Sequence, residues 1–82
     1  MPDTLTIGVV EDDPSFLRAL RRLLSAAGFS VAAFASAEEV LASESAGATA
    51  CLVLDVHLGG MSGFDLQQRL ATAGAPIPTI FI

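Results

Sequence analysis

Three acids in this sequence are placed to do chemistry: Asp55, and the adjacent pair Glu11 and Asp12. Asp55 ends an apolar run, Leu52-Val53-Leu54, and is followed by a glycine-rich turn containing Gly59, Gly60 and Gly63. Glu11 and Asp12 end a second apolar run, Leu5 to Val10, just ahead of Asp13-Pro14. Carboxylates brought close together repel, and they persist where a cation neutralises them or where one stays protonated. An all-oxygen cluster on a partly open rim suits Mg²⁺, which takes octahedral oxygen ligands at about 2.0–2.1 Å and keeps several waters. An ionised Asp can also act as a nucleophile and form an aspartyl phosphate, a chemistry that asks mainly for positioning and charge neutralisation. The plainer alternative is that acids at strand ends cap backbone donors. Asp13 reads as such a cap, and Glu11 and Asp12 taken singly fit either role.

For these acids to meet, the chain must bring two distant strand ends to one place. Leu5 to Val10 reads as a buried strand. Asp13 caps a helix with Pro14 at its first position, where the missing N–H costs nothing. This helix is expected to run to about Ala27, with Phe16, Leu20, Leu23, Leu24 and Ala27 on the packed stripe and Arg18, Arg21, Arg22 and Ser25 facing away. Gly28 closes it. A second strand covers about Ser30 to Phe34. Ser36-Ala37-Glu38-Glu39 forms a capping box for a short helix that is expected to end near Gly47. Thr49 to Leu54 makes the third strand, continuous in hydrophobicity as a strand covered on both faces should be. Ser62 caps a third helix, with Asp65 three residues on, that is expected to bury Phe64, Leu66, Leu70 and Ala73 before Gly74. Pro76 and Pro78 bar its continuation, and Thr79 to Ile82 reads as a fourth strand. Strand and helix alternate with short connections, the pattern of a parallel α/β sheet with right-handed crossovers. All strands then end on one rim, where ligands gather in such sheets.

The 82 residues make one small domain, and 52% hydrophobic with 16% charged is a globular composition. A net charge of −5, with four Arg and no Lys, argues against nucleic-acid binding by this segment. The single cysteine, Cys51, cannot form an internal disulfide and reads as a buried reduced thiol. No stretch approaches the roughly 18 apolar residues of a membrane span, and the start lacks the basic and apolar regions of a signal peptide. A soluble cytoplasmic protein is expected.

VVEDDP at the first strand end and LVLDVHLGGMSG at the third resemble the receiver domain of two-component response regulators, and the likeness extends over residues 5 to 82. RALRRLLSAAGF and FASAEEVLAS are similar to the FixJ/NarL class of transcriptional regulators. The resemblance implies a flavodoxin-like sheet in the order 2-1-3-4, with helices on both faces and strand five missing. It implies Asp55 as phosphoacceptor, phosphorylated by a sensor histidine kinase or a small phosphodonor with Mg²⁺. Asp12 would bind the metal directly and Glu11 through water; Asp55 and the backbone carbonyl of His57 would complete the metal's protein ligands. The His57 imidazole reads as a solvated loop side chain, Gly63 as the glycine that permits the turn into helix three, and Met61 as loop packing. Such a domain assists its own phosphorylation and is not a turnover enzyme.

Two departures from the family pattern set further expectations. Gly59 stands where the family usually has proline, so the loop should be looser. The sequence also stops before the family's switch Thr or Ser and the later Lys, so residues 1–82 are expected to form the N-terminal part of a receiver. Strand four should then be an exposed edge, open to self-association, with a bare apolar patch on the face of helix one. The competing readings are a pseudo-receiver that serves as an interaction module without phosphorylation, and a phosphohydrolase of the haloacid-dehalogenase type. The second would need an acid where His57 stands. The glycines do not satisfy the G-x-G-x-x-G pattern of dinucleotide binding.

Overall fold

The computed structural model describes residues 5–43, 48–55, 58, 60–74 and 76–82. In chain order these form β1 (Thr6–Val10), α1 (Pro14–Ala26), β2 (Ser30–Phe34), α2 (Ala37–Ala42), β3 (Cys51–Leu54), α3 (Gly63–Thr72) and β4 (Thr79–Phe81). Among the described residues the strands make one parallel sheet in the order β2-β1-β3-β4.

Local chemistry sets most of the element ends. Asp13 Oδ1 accepts from the Ser15 N–H at 2.9 Å and the Phe16 N–H at 3.4 Å, satisfying donors that the first turn of α1 leaves open. At the other end Gly28 takes φ of +99°, which its lack of a Cβ makes inexpensive. The Phe29 N–H then donates to Leu24 O and the Gly28 N–H to Ser25 O, the paired bonds of a Schellman closure. Ser36 Oγ accepts from the Glu39 N–H at 3.2 Å, while Glu39 Oε1 reaches back to the Ala35 N–H at 3.2 Å.

The two faces of the sheet are covered unequally. On one side Val10, Leu52 and Leu54 pack with Val40 of α2 and with Leu66 and Leu70 of α3. On the other side α1 packs against β1 and β2. Val9, Val53 and Ile80 are register partners across β1, β3 and β4 on that second face. Val9 is fully buried, Val53 half-buried, and Ile80 56% exposed. Among the described residues, cover therefore thins toward β4.

Several expectations are corrected. Within α1, Leu17, Leu20 and Leu24 are half-buried, whereas Phe16 and Leu23 stand 44% and 66% exposed. The apolar residues of α1 cover more than one face, and contact with β1 and β2 selects the edge that includes Leu17. In α3, Phe64 and Ala73 are exposed, and the buried stripe is Gly63, Leu66 and Leu70. α2 ends at Ala42 rather than near Gly47, which lies outside the described residues. Cys51 is half-buried. Met61, read from the sequence as loop packing, is partly buried against the core.

Because Leu66 is fully buried and Phe16 is not, the two truncations should separate in urea denaturation. Leu66→Ala is expected to cost about 2–5 kcal/mol, and Phe16→Ala under about 1 kcal/mol. Equal losses would contradict the packing described.

Candidate functional site

The acids meet because of register. Val10 pairs with Leu54 across β1 and β3, so the residues that follow, Glu11 and Asp55, leave the sheet at one level. Hydrogen bonds to the neighbouring strand fix both exits. The Asp55 N–H donates to Val10 O at 3.2 Å, and the Glu11 N–H donates to Phe34 O at 3.1 Å. Each of Glu11, Asp12 and Asp55 offers a carboxylate oxygen, and the three atoms lie within 4.8 Å of one another. Asp13, the fourth acid of the region, is occupied as the cap of α1.

Burial grades across the cluster. Glu11 is 3% exposed, Asp55 half-buried and Asp12 exposed, so the site opens to solvent on the side of the two aspartates. Burial raises the Glu11 pKa above its ordinary value. The hydrogen bond that Glu11 Oε2 accepts from the Asp13 N–H at 3.0 Å pulls it down, while the adjacent Asp12 and Asp55 carboxyls add to the rise. Burial of the deepest acid thus disfavours its charged form.

The far wall of the site is α3. A Cβ at Gly63 would lie 3.1 Å from Phe81 Cε1 and 3.3 Å from the Asp55 carbonyl oxygen, so a larger residue would need its neighbours to give by a few tenths of an ångström for α3 to begin this close to the end of β3. Ser62 Oγ caps the helix by accepting from the Asp65 N–H at 3.1 Å. His57 and Gly59, to which the sequence assigned a metal-binding carbonyl and a loosened loop, lie outside the described residues. Sequence reasoning overlooked Phe81, whose ring stacks on Phe64 with centroids 4.4 Å apart. A pair of aromatics separated by most of α3 and a loop leaves no periodic signal.

The family model for the response regulator receiver domain matches residues 7–82. The chain belongs to that family. This receiver chain is 51% identical over 74 residues to nodulation protein W of Bradyrhizobium diazoefficiens, covering 90% of this chain and 33% of the relative. It is 32% identical over 80 residues to the transcriptional regulatory protein FixJ of Azorhizobium caulinodans, covering 98% of this chain and 38% of the relative. The receiver fold superposes on the response regulator StyR with a TM-score of 0.86 at 40% identity, covering 96% of this chain and 40% of StyR. The chain therefore spans about a third of the length of the curated relatives it matches. Its sheet order is the flavodoxin-like one that the resemblance implied. Among the described residues of this receiver, no helix is long and apolar enough to cross a membrane.

A raised folded-state pKa means that folding binds the Glu11 proton more tightly than the unfolded chain does. Its contribution to stability is therefore lost as pH climbs from the ordinary 4.5 through the raised value. Without divalent cations, the melting temperature of wild type relative to Glu11→Gln is expected to fall across that window. A difference that is flat or rising with pH would contradict the assignment.

Proposed function

We propose that this chain is the phosphoacceptor segment of a histidine-to-aspartate relay, with Asp55 as the acceptor. The observation that carries the reading is the carboxylate cluster, with oxygens of Glu11, Asp12 and Asp55 within 4.8 Å of one another at the rim of the sheet. An Asp55 carboxylate oxygen attacks phosphorus, forming an O–P bond. The P–N bond to the donor histidine breaks, and its electron pair returns to the imidazole. The β1 hydrogen bond at the Asp55 N–H holds the acceptor's backbone during the transfer, and Asp55 itself is half-buried.

The donor set fits Mg²⁺, being all hard oxygen and open enough at Asp12 to leave water on the ion. Asp12 and Asp55 would hold the ion directly and Glu11 through water, with the His57 carbonyl as a further ligand. When bound, the ion supplies positive charge that offsets that of the transferring phosphoryl group. Positive charge beside Glu11 would offset the burial that disfavours its charged form. The partner implied is a sensor histidine kinase in the cytoplasm, and the chain is consumed as an acceptor rather than turning over as an enzyme.

Incubation with acetyl phosphate and Mg²⁺ is expected to give a hydroxylamine-sensitive mass gain that vanishes in Asp55→Asn. Asp12→Asn should weaken the Mg²⁺ dependence by roughly tenfold or more. No mass gain in the folded wild type would overturn the assignment, and a gain that persists in Asp55→Asn would move the acceptor elsewhere.

Self-association through β4 is the second part of the reading. β4 lies at the sheet edge. Ile80 and Ile82 are 56% and 47% exposed, and no residue from Leu70 to Ile82 is charged. Edge strands that avoid pairing usually carry charge. Sedimentation velocity should show reversible association that rises with concentration and is suppressed in Ile80→Lys. A wild type that stays monomeric throughout the micromolar range would refute it.

A further inference from the structure

We propose that Phe81 is a positioning residue for the acceptor, acting through its stack on Phe64 and its contact with Gly63. The inference rests on the proposed role of Asp55.

The loop that leaves the sheet at Asp55 returns at Gly63, and its two ends pack against each other. A Cβ on Gly63 would come within 3.3 Å of the Asp55 carbonyl oxygen and 3.5 Å of Leu54 Cβ. The first turn of α3 therefore sits directly against the Asp55 carbonyl and the end of β3. The Ser62 cap is internal to that turn, and Leu66 anchors α3 one turn further along. Phe64 by itself would hold nothing, since it is 58% exposed. Its ring is nonetheless fixed by Phe81, with centroids 4.4 Å apart and planes inclined at 28°.

Phe81 is well tied to the acceptor's own strand. It pairs with Leu54 in the β3–β4 register, and the next residue's N–H, Ile82, donates to Leu54 O at 2.8 Å. The same ring that stacks on Phe64 also reaches the Gly63 position, with Cε1 3.1 Å from where a Cβ would be. One aromatic side chain thus bridges the strand that delivers Asp55 and the turn where its loop comes back. Phe81 is only half-buried and Phe64 more exposed still, so loss of the stack should leave the fold standing. Small displacements of a reacting group nevertheless cost rate steeply, on the order of a hundredfold per ångström.

Phe81→Leu keeps an apolar side chain and removes the ring, whereas Phe81→Tyr keeps the stack. With acetyl phosphate at saturating Mg²⁺, Phe81→Leu is expected to lower the maximal phosphorylation rate by roughly tenfold. The half-saturating phosphodonor concentration should stay unchanged, as for an interaction that orients rather than binds, and Phe81→Tyr should restore the rate. Amide hydrogen exchange at residues 60–63 should quicken in Phe81→Leu and return in Phe81→Tyr. If Phe81→Leu does not fold, Phe64→Leu removes the stack from its exposed side and is held to the same outcomes. A wild-type rate in a folded variant without the stack overturns the inference. If the wild type itself takes no phosphoryl group, the proposed function fails instead, and exchange at residues 60–63 that is unaltered by loss of the ring then overturns this inference by itself.

Discussion

The parallel pairing of β1 with β3 is the constraint on which the rest of the molecule depends. Glu11 and Asp55 are far apart in the chain, and each follows the last residue of a strand. They share a rim because Val10 and Leu54 are register partners and the Asp55 N–H bonds to Val10 O. A slip of one residue would turn the buried row of Val10, Leu52 and Leu54 toward the opposite face. Core packing against α2 and α3 therefore enforces the register that assembles the carboxylates. Stability and site share one determinant, and the apolar contacts hold together three groups whose charges oppose the arrangement.

That opposition is distributed unevenly. Glu11 is the most deeply buried of the three, and its side chain accepts from the Asp13 N–H. Asp12 is left at the surface, where water screens it. Gly63 meets the Asp55 carbonyl from the α3 side, where an added Cβ would be tightly held. Phe81 lies just behind that contact, with its ring stacked on Phe64.

Cover of the sheet is equally uneven. The face that meets α2 and α3 holds the main cluster, while on the α1 face burial declines from Val9 through Val53 to Ile80. α1 packs mainly on β1 and β2, and the stretch from Leu70 through β4 to Ile82 carries no charged side chain. The carboxylate rim and the apolar edge are therefore chemically distinct regions of one small domain, joined through the β3–β4 pairing.

Much of this was legible in the residues alone. Asp13, Ser36 and Ser62 announce their helices because a cap needs only a short side chain and backbone donors two or three positions away. The apolar runs at Val9-Val10 and Leu52 to Leu54 announce buried strands because a strand covered on both faces cannot alternate. The flavodoxin-like order was readable from the family likeness of VVEDDP and LVLDVHLGGMSG. Tertiary structure decided what depends on distant neighbours. Phe16 and Leu17 are equally apolar, and only the position of β1 and β2 determines that the Leu17 edge packs. Phe64 looked like a core residue of α3, yet it found its partner on β4 outside the main cluster. The depth of Glu11 relative to Asp12 was undecided until β2 fixed the Glu11 N–H, because neighbouring acids in sequence differ only in the direction the folded backbone gives them.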